Sequence, residues 1–421
     1  MEGQNKIIGT NKYTFAGGLR TITSKDIILF GYFVTFLILL LDCVDNFPFT
    51  SVLRKVKYVY IAILFADFVL NNRKGTYRFR KSSVFILFFF FLHTVLFGLV
   101  WTNPDVAEYT ATHFREMMIY LGLLSLIVYA VEKYNCRFEF IFLTAVACGI
   151  FMLWTGITHF SSFVNPIYFI NVFSRNGRYR GGFGTSSENY IGLYAFVSLF
   201  FYFALWHQYK KRRMLTSVRK ACLLLIILWT QMILFSSASR SSILSFLVFV
   251  AFWLYQTFFK KKFGKSRYIF LILGLAIIAI VLWVAGDEIW ASANRDGNFS
   301  VNLPYFNMVG GFWKGMGYIE SSGFLGNAYG YDTFPVDNYY LYIYLTTGVI
   351  GCAILLIPLI YMLVRLLKKK SRFACTIVLP VYISMLFNAF WQVNFFTYRY
   401  IFTIFLSILL MITISDREES L

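Results

Sequence analysis

Apolar residues in this chain are grouped into long runs, and only short polar segments separate many of them. The clearest runs cover residues 27–41, 84–101, 138–154, 223–235, 243–253 and 269–284. Because a helix needs about 20 mostly apolar residues to cross the hydrocarbon core of a bilayer, these runs predict transmembrane helices. With their flanks and several weaker runs, they predict about twelve spans. The predicted spans are 26–45, 56–70, 83–101, 116–131, 138–158, 189–207, 221–236, 241–258, 268–285, 338–366, 374–393 and 398–415.

The composition agrees with an all-α, polytopic integral membrane protein. Of the 421 residues, 58% are hydrophobic and 21% are aromatic, only 14% are charged, and the mean hydropathy is +0.64. A soluble domain of this length has no interior large enough to bury so much apolar surface. We therefore predict a single membrane domain over residues 1–421. The first apolar run is long and lacks a small-residue cleavage site, which predicts a retained helix rather than a signal peptide.

The distribution of basic residues predicts the orientation of the spans. Most of the 39 Lys and Arg residues lie in the N-terminal tail and in every second loop. The positive-inside rule then places both termini in the cytoplasm. Attraction to an anionic inner leaflet accounts for the net charge of +19 and argues against nucleic acid as a partner. The six cysteines are scattered without metal-ligand spacing, so we predict no metal and no cofactor.

The basic residues predicted on the outer face are mostly arginines, whereas lysine is more frequent on the cytoplasmic face. The outer arginines are Arg54, Arg115, Arg175, Arg178, Arg180, Arg240, Arg295 and Arg399. The planar fork of an arginine binds phosphate or carboxylate in a bidentate manner. This outer set therefore favours an anionic ligand at that face.

A first long outer loop is predicted at residues 159–188. Arg175, Arg178 and Arg180 precede a glycine-rich turn at 181–184, and a helix that includes Asn189 follows. Glycines let backbone N–H groups approach an anion, and a helix N-terminus adds a favourable dipole. The alternative is a simple turn with arginines that reach to the membrane interface. Arg180 is the best candidate for anion binding because it adjoins the glycines.

A second long outer loop is predicted at residues 286–337. It contains Arg295 and many aromatic residues, which suit either sugar rings or the lipid headgroup region. The loop ends in Asp337 and Asn338, directly before an apolar helix with glycines at 348 and 351. Asp337 is a candidate general base. Capping of the next helix by this Asp-Asn pair is the alternative.

Arg240 lies in a serine-rich turn, residues 236–242, between two predicted spans. Hydroxyl groups such as that of Ser239 would support phosphate binding by this arginine. The alternative is a helix-end arginine that reaches to the interface. The four histidines, which are His93, His113, His159 and His207, are dispersed along the chain, and we assign them no role.

Three blocks together resemble the bacterial O-antigen polymerase/ligase superfamily. They are Arg-Gly-Gly-Phe-Gly at 180–184 followed by Asn189, Ser-Arg-Ser-Ser at 239–242, and residues 326–341 followed by the glycine pair at 348 and 351. The resemblance covers roughly residues 115–400. In ligases of the superfamily a His commonly occupies the position of Asp337, so this chain looks more like the polymerase branch, formed by the oligosaccharide repeat unit polymerases.

The resemblance implies a metal-independent, inverting glycosyltransferase in the bacterial cytoplasmic (inner) membrane. Its donor and acceptor would be glycans on undecaprenyl diphosphate. Arg180 and Arg240 would bind the diphosphate, and Asp337 would act as the base. Further substrate-binding candidates are Arg178, Arg175, Arg295, Asn189, Asn338 and Ser239. A ligase and a lipid-linked oligosaccharide flippase or transporter remain alternatives, and a chain-length regulator protein and a flippase stay open as partners.

Overall fold

A computed structural model describes residues 12–13, 22–44, 55–72, 79–102, 107–163, 181–185, 188–259, 306, 311–318, 338–392 and 401–415. A short antiparallel pair, β1 (Lys12–Tyr13) and β2 (Ile22–Thr23), precedes the helices. The helices are α1 (Ser24–Leu41), α2 (Val56–Asn71), α3 (Lys81–Val95), α4 (Ala107–Lys133), α5 (Arg137–Thr158), α6 (Glu188–Lys211), α7 (Ser217–Ser236), α8 (Arg240–Leu254), α9 (Tyr339–Lys368), α10 (Leu379–Asn388) and α11 (Ile401–Ser415). Single π-helical turns extend α3 (Leu96–Val100) and α8 (Tyr255–Phe259) and precede α10 (Ala374–Val378).

The described residues confirm an all-α protein with several membrane-length helices. Within them, 7 helices are long and apolar enough to cross a membrane, and these include α1, α3 with its π turn, α4, α5, α6, α7 and α9. They indicate a multi-pass membrane protein. The predicted span at 268–285 lies outside the described residues. The count of twelve spans and their orientation therefore stay predictions.

Two helix boundaries differ from the hydropathy-based expectation. The helix expected at 116–131 begins at Ala107, because its first two turns are polar and hydropathy does not detect a helix that extends beyond its apolar run. That polar part includes Thr110, which is buried. The helix expected to end at residue 393 instead ends at Asn388.

Helix α11 forms the centre of the bundle. Its side chains are buried from Phe402 to Ser415, and α1, α3, α4, α5, α6 and α9 surround it. A helix that is apolar on all sides reaches this position because it has no face for water. At its last turn, Arg137 Nη2 donates to the Ile412 carbonyl oxygen at 3.0 Å and Arg80 donates to that of Ser415. These two arginines satisfy carbonyl groups that have no partner within the helix.

We name the two ends of the bundle by Ser415 and Arg240. At the Ser415 end, Asp67 of α2 is buried and accepts hydrogen bonds from Lys133 Nζ at 3.1 Å and from the Tyr134 hydroxyl at 2.6 Å. Burial and the hydrogen bond to Asp67 raise the pKa of the Tyr134 phenol, so it remains a donor. This cluster ties the end of α2 to the end of α4.

Helix α9 is broken at Gly348, which has φ +64° and ψ −166° inside the helix. Residues 311–318, here called the crossing segment, pass through the break. Met316 N–H and Gly317 N–H donate to the carbonyl oxygens of Leu345 (2.9 Å) and Thr346 (3.0 Å). On the far side, the N–H groups of residues 349 and 350 donate to carbonyl oxygens of the crossing segment at 2.9 and 3.2 Å.

This exchange satisfies the backbone groups that the break exposes, as the interior of a membrane protein requires. A Cβ atom at Gly348 would lie 2.5 Å from the Trp313 carbonyl group, and one at Gly315 would collide with the backbone of Thr346. Glycine is required at both positions because two backbones pass each other in contact. The apolar run at 338–366 predicted one continuous span and gave no sign of the break.

Candidate functional site

The turn that joins α7 to α8, here called the serine corner, is made by residues 237–239 with Arg240 at its edge. Ala238 has a φ of +48°, a conformation that non-glycine residues seldom adopt. Ser239 is fully buried, and its hydroxyl lies 3.1 Å from that of Ser242. Arg240 is half-buried. The corner therefore fixes the position of the Arg240 backbone at the start of α8.

The glycine-rich block of the first long loop lies against the serine corner. Gly181 donates its backbone N–H to the Ser236 carbonyl oxygen at 2.9 Å. A Cβ atom at Gly181 would collide with the Ser162 carbonyl oxygen, so this close approach requires glycine. Arg180 directly precedes Gly181 in the chain. The contact thus brings the first of the three sequence blocks to the second.

Helix α6 packs against the serine corner from another side. A Cβ atom at Gly192 would collide with the Ser239 side chain and lie 2.9 Å from Ser237 Oγ. Asn189 is half-buried and lies almost one turn before Gly192 on the same helix. Asn189 and Gly192, which follow the glycine-rich block in sequence, therefore also lie at the Arg240 end.

Buried hydrogen bonds connect α8 to the first turn of α9. Ser245 of α8 accepts a hydrogen bond from Asn388 Nδ2 at 2.9 Å, and both residues are fully buried. Asn388 ends α10, and the following residue, Ala389, accepts the backbone N–H of Tyr339 at 2.9 Å. The third sequence block is thus joined, through α10, to the helix that begins with Arg240.

Asn338 caps α9, because its side-chain oxygen accepts the backbone N–H of Leu341 at 3.0 Å. The sequence left capping and catalysis as alternatives for the Asp337–Asn338 pair. The structure shows the capping role for Asn338, and Asp337 lies outside the described residues.

The described candidates meet at one end of the bundle. Arg240, Ser239 and Asn189 lie around the serine corner, and Asn338 is joined to it through α10 and α8. The remaining candidates lie outside the described residues; they are Asp337, Arg180, Arg178, Arg175 and Arg295. The described parts of the three blocks are anchored at this end through Gly181, Ser239 and Tyr339.

Sequence reasoning missed a buried His–Tyr pair beside α9. The Tyr318 hydroxyl and His93 Nδ1 lie 2.9 Å apart, and the ring of His113 stacks on Tyr318 with centroids 3.6 Å apart. Thr110 Oγ1 donates to the Tyr318 carbonyl oxygen at 3.4 Å. The position of His93 within an apolar span was the available signal, since a polar group there needs a partner.

In the described ranges, no three His, Cys, Asp or Glu side chains come together in an arrangement that could hold a metal ion. No protein-family model matches the chain, and no curated protein matches it. The resemblance to the O-antigen polymerase/ligase superfamily therefore depends on the three sequence blocks and remains a prediction.

Proposed function

We propose that this protein is a membrane-embedded glycosyltransferase that polymerises undecaprenyl-diphosphate-linked oligosaccharide repeat units at the outer face of the bacterial cytoplasmic membrane. The observation that supports this most is the connection among the three sequence blocks. Gly181 contacts Ser236 directly beside the serine corner, Ser245 contacts Asn388, and Ala389 contacts Tyr339. These contacts bring residues that are far apart in sequence to one end of the bundle, as a shared site requires.

The proposed reaction uses the blocks for separate tasks. A hydroxyl oxygen of the acceptor repeat unit attacks the anomeric carbon of the donor sugar, and the proton of that hydroxyl passes to the Asp337 carboxylate. The bond between the anomeric carbon and the diphosphate oxygen breaks, and the undecaprenyl diphosphate leaves with the electron pair. Arg180 and Arg240 stabilise the negative charge that develops on the leaving group. Attack opposite the leaving group inverts the anomeric configuration.

The test compares polysaccharide ladders from a deletion strain complemented with variants. We expect Arg240→Ala and Asp337→Ala to abolish polymer at normal protein level, and Arg240→Lys to retain a reduced amount because a lysine keeps the charge but loses the bidentate fork. Arg365→Ala is the matched control, since Arg365 lies in the last turn of α9 at the other end of the helix. Normal chain length in both Arg240→Ala and Asp337→Ala would refute the proposal.

A lipid-linked oligosaccharide flippase is a second candidate, because discontinuous helices such as α9 are typical of secondary transporters. In those proteins, however, the ends of the half-helices bind the substrate, whereas here the crossing segment occupies them. The deletion strain separates the candidates. A polymerase defect leaves single repeat units on the final acceptor, a ligase defect leaves long polymer on undecaprenyl diphosphate, and a flippase defect leaves single repeats on the cytoplasmic side.

A further inference from the structure

A small cavity with both polar and apolar side chains in its lining lies where α3, α4, α9 and the crossing segment meet. Its volume is about 30 Å³, and its lining includes His93, Thr94, Tyr318, Tyr339 and Tyr342. This volume is large enough to hold an ordered water molecule. The lining supplies several polar side chains, as a bound water requires.

One polar atom of the lining has no partner from the protein. His93 is only 3% exposed, and its Nε2 atom makes no hydrogen bond within the described part of the chain. Its other ring nitrogen, Nδ1, is held by the Tyr318 hydroxyl at 2.9 Å. A buried ring nitrogen without a hydrogen-bond partner is unfavourable, so a water molecule that satisfies this atom would be bound firmly. Water suits either tautomer of the histidine, because it both donates and accepts.

The cavity is adjacent to both ends of the loop that carries the proposed base. Residues 319–337 connect Tyr318 to Asn338, and both Tyr318 and Tyr339 line the cavity. Tyr318 is held by His93, His113 and Thr110, as described above. Tyr339 is held through its N–H by Ala389. A ligand in the cavity would therefore join the two anchor points of this loop.

We propose that one water molecule occupies this cavity and bridges His93 Nε2 to the tyrosines in the first turn of α9, so that His93 is a positioning residue for Asp337. The water site depends only on the geometry of the cavity. The positioning role rests on the proposed function. His93 itself touches no substrate in this proposal; it acts through the water.

Two substitutions at His93 separate its two contacts. The amide of His93→Asn reaches the place of Nδ1, so it keeps the Tyr318 contact and loses the water. The amide of His93→Gln reaches the place of Nε2, so it keeps the water and loses Tyr318. In a purified polymerisation assay, we expect His93→Asn to lower kcat by roughly 10-fold to 100-fold with KM for the lipid-linked repeat unchanged. We expect His93→Gln to retain more of the wild-type kcat than His93→Asn. Wild-type kcat in His93→Asn, or an equal loss in both variants, overturns the positioning role.

A double-mutant cycle tests the water without relying on activity. His93→Asn is combined with Tyr339→Phe and, separately, with Tyr342→Phe, and the midpoint of thermal unfolding is measured in detergent. Since His93 Nε2 has no direct partner, a bridging water predicts that at least one pair shifts the midpoint by less than the sum of its single variants. Tyr340→Phe is the control and should be additive with His93→Asn, because the Tyr340 hydroxyl donates to the Leu386 carbonyl oxygen. Additivity in both test pairs overturns the water bridge.

An experimental map of the wild-type chain decides the same point if the variants fail to fold. Density for an ordered water within hydrogen-bond distance of His93 Nε2 supports the site, and a well-resolved cavity without such density overturns it. If the wild-type chain makes no polymer, the proposed function fails, whereas the unfolding cycle and the map still decide the water site.

Discussion

Single glycines allow the crossing segment to pass through α9. At Gly348 both the positive φ and the contact with Trp313 exclude a side chain. We expect Gly348→Ala to lower the free energy of unfolding by on the order of 3 kcal/mol, since it adds backbone strain to a steric collision. Gly122→Ala is the matched control, because a Cβ atom there meets nothing within 4 Å.

Thermal unfolding in detergent measures both glycine variants. The control should be neutral or slightly stabilising, since alanine is favoured over glycine inside a helix. Equal midpoints for Gly348→Ala and Gly122→Ala would contradict the close passage of the two backbones.

The ion pair between Asp67 and Lys133 is largely buried. The side chains are 7% and 20% exposed, so removing one charge leaves the other poorly solvated. We expect Asp67→Asn to cost about 3 kcal/mol in unfolding free energy. The comparison is Glu139→Gln, which breaks the more exposed pair with Lys25 (36% and 32% exposed) and should cost less than about 1 kcal/mol. Similar losses in a denaturation series would show that burial does not distinguish the two pairs.

At the scale of elements, α10 connects two helices. It contacts α8, which begins at the serine corner, and the residue that follows α10 contacts the first turn of α9. Ser245 accepts from Asn388 and donates to the Ser241 carbonyl oxygen at 2.6 Å, so one hydroxyl serves both helices. We expect Asn388→Ala to cost about 1–3 kcal/mol, because the Asn388–Ser245 hydrogen bond is lost and a buried cavity remains.

A double-mutant cycle checks this element contact. Asn388→Ala and Ser245→Ala should be coupled by about 1 kcal/mol in unfolding free energy, since either substitution removes the same bond. Ser384→Ala provides a control on α10, because Ser384 donates within its own helix to the Val381 carbonyl oxygen at 2.8 Å. Additive effects of the Asn388 and Ser245 substitutions would show that this hydrogen bond does not couple α10 to α8.

Element boundaries also show what local patterns specify. Three helix starts follow capping residues visible in the sequence: Thr23 accepts from Asp26 N–H, Thr216 from Arg219 N–H, and Asn338 from Leu341 N–H. A cap involves only neighbouring residues, so a local pattern is able to indicate it, as the sequence did for Asn338. The break in α9 is different, because its hydrogen bonds come from a segment about 30 residues earlier, and hydropathy is blind to such partners.

At the scale of the whole molecule, the orientation of the helices across the membrane is a prediction of the basic residues. The basic loops predict that the N-terminal tail and residues 260–267 face the cytoplasm and that residues 159–188 face outward. In intact cells, a membrane-impermeant maleimide should label Asn176→Cys above the background of the parent chain. Ser266→Cys should be labelled only after permeabilisation. The reverse labelling pattern would show that the topology is inverted. The Arg240 end would then lie on the cytoplasmic side, where the proposed donor would not be accessible.

The sequence by itself determined that this protein is helical and suited to a membrane, because run length, hydropathy and capping are properties of neighbouring residues. It also indicated the three blocks and the turn before Arg240. Only the tertiary structure decided which blocks meet, where α9 is interrupted and what surrounds His93. Those features join residues that are remote in the chain, 225 positions apart for His93 and Tyr318. Such contacts depend on how whole helices pack, and no local pattern records that packing.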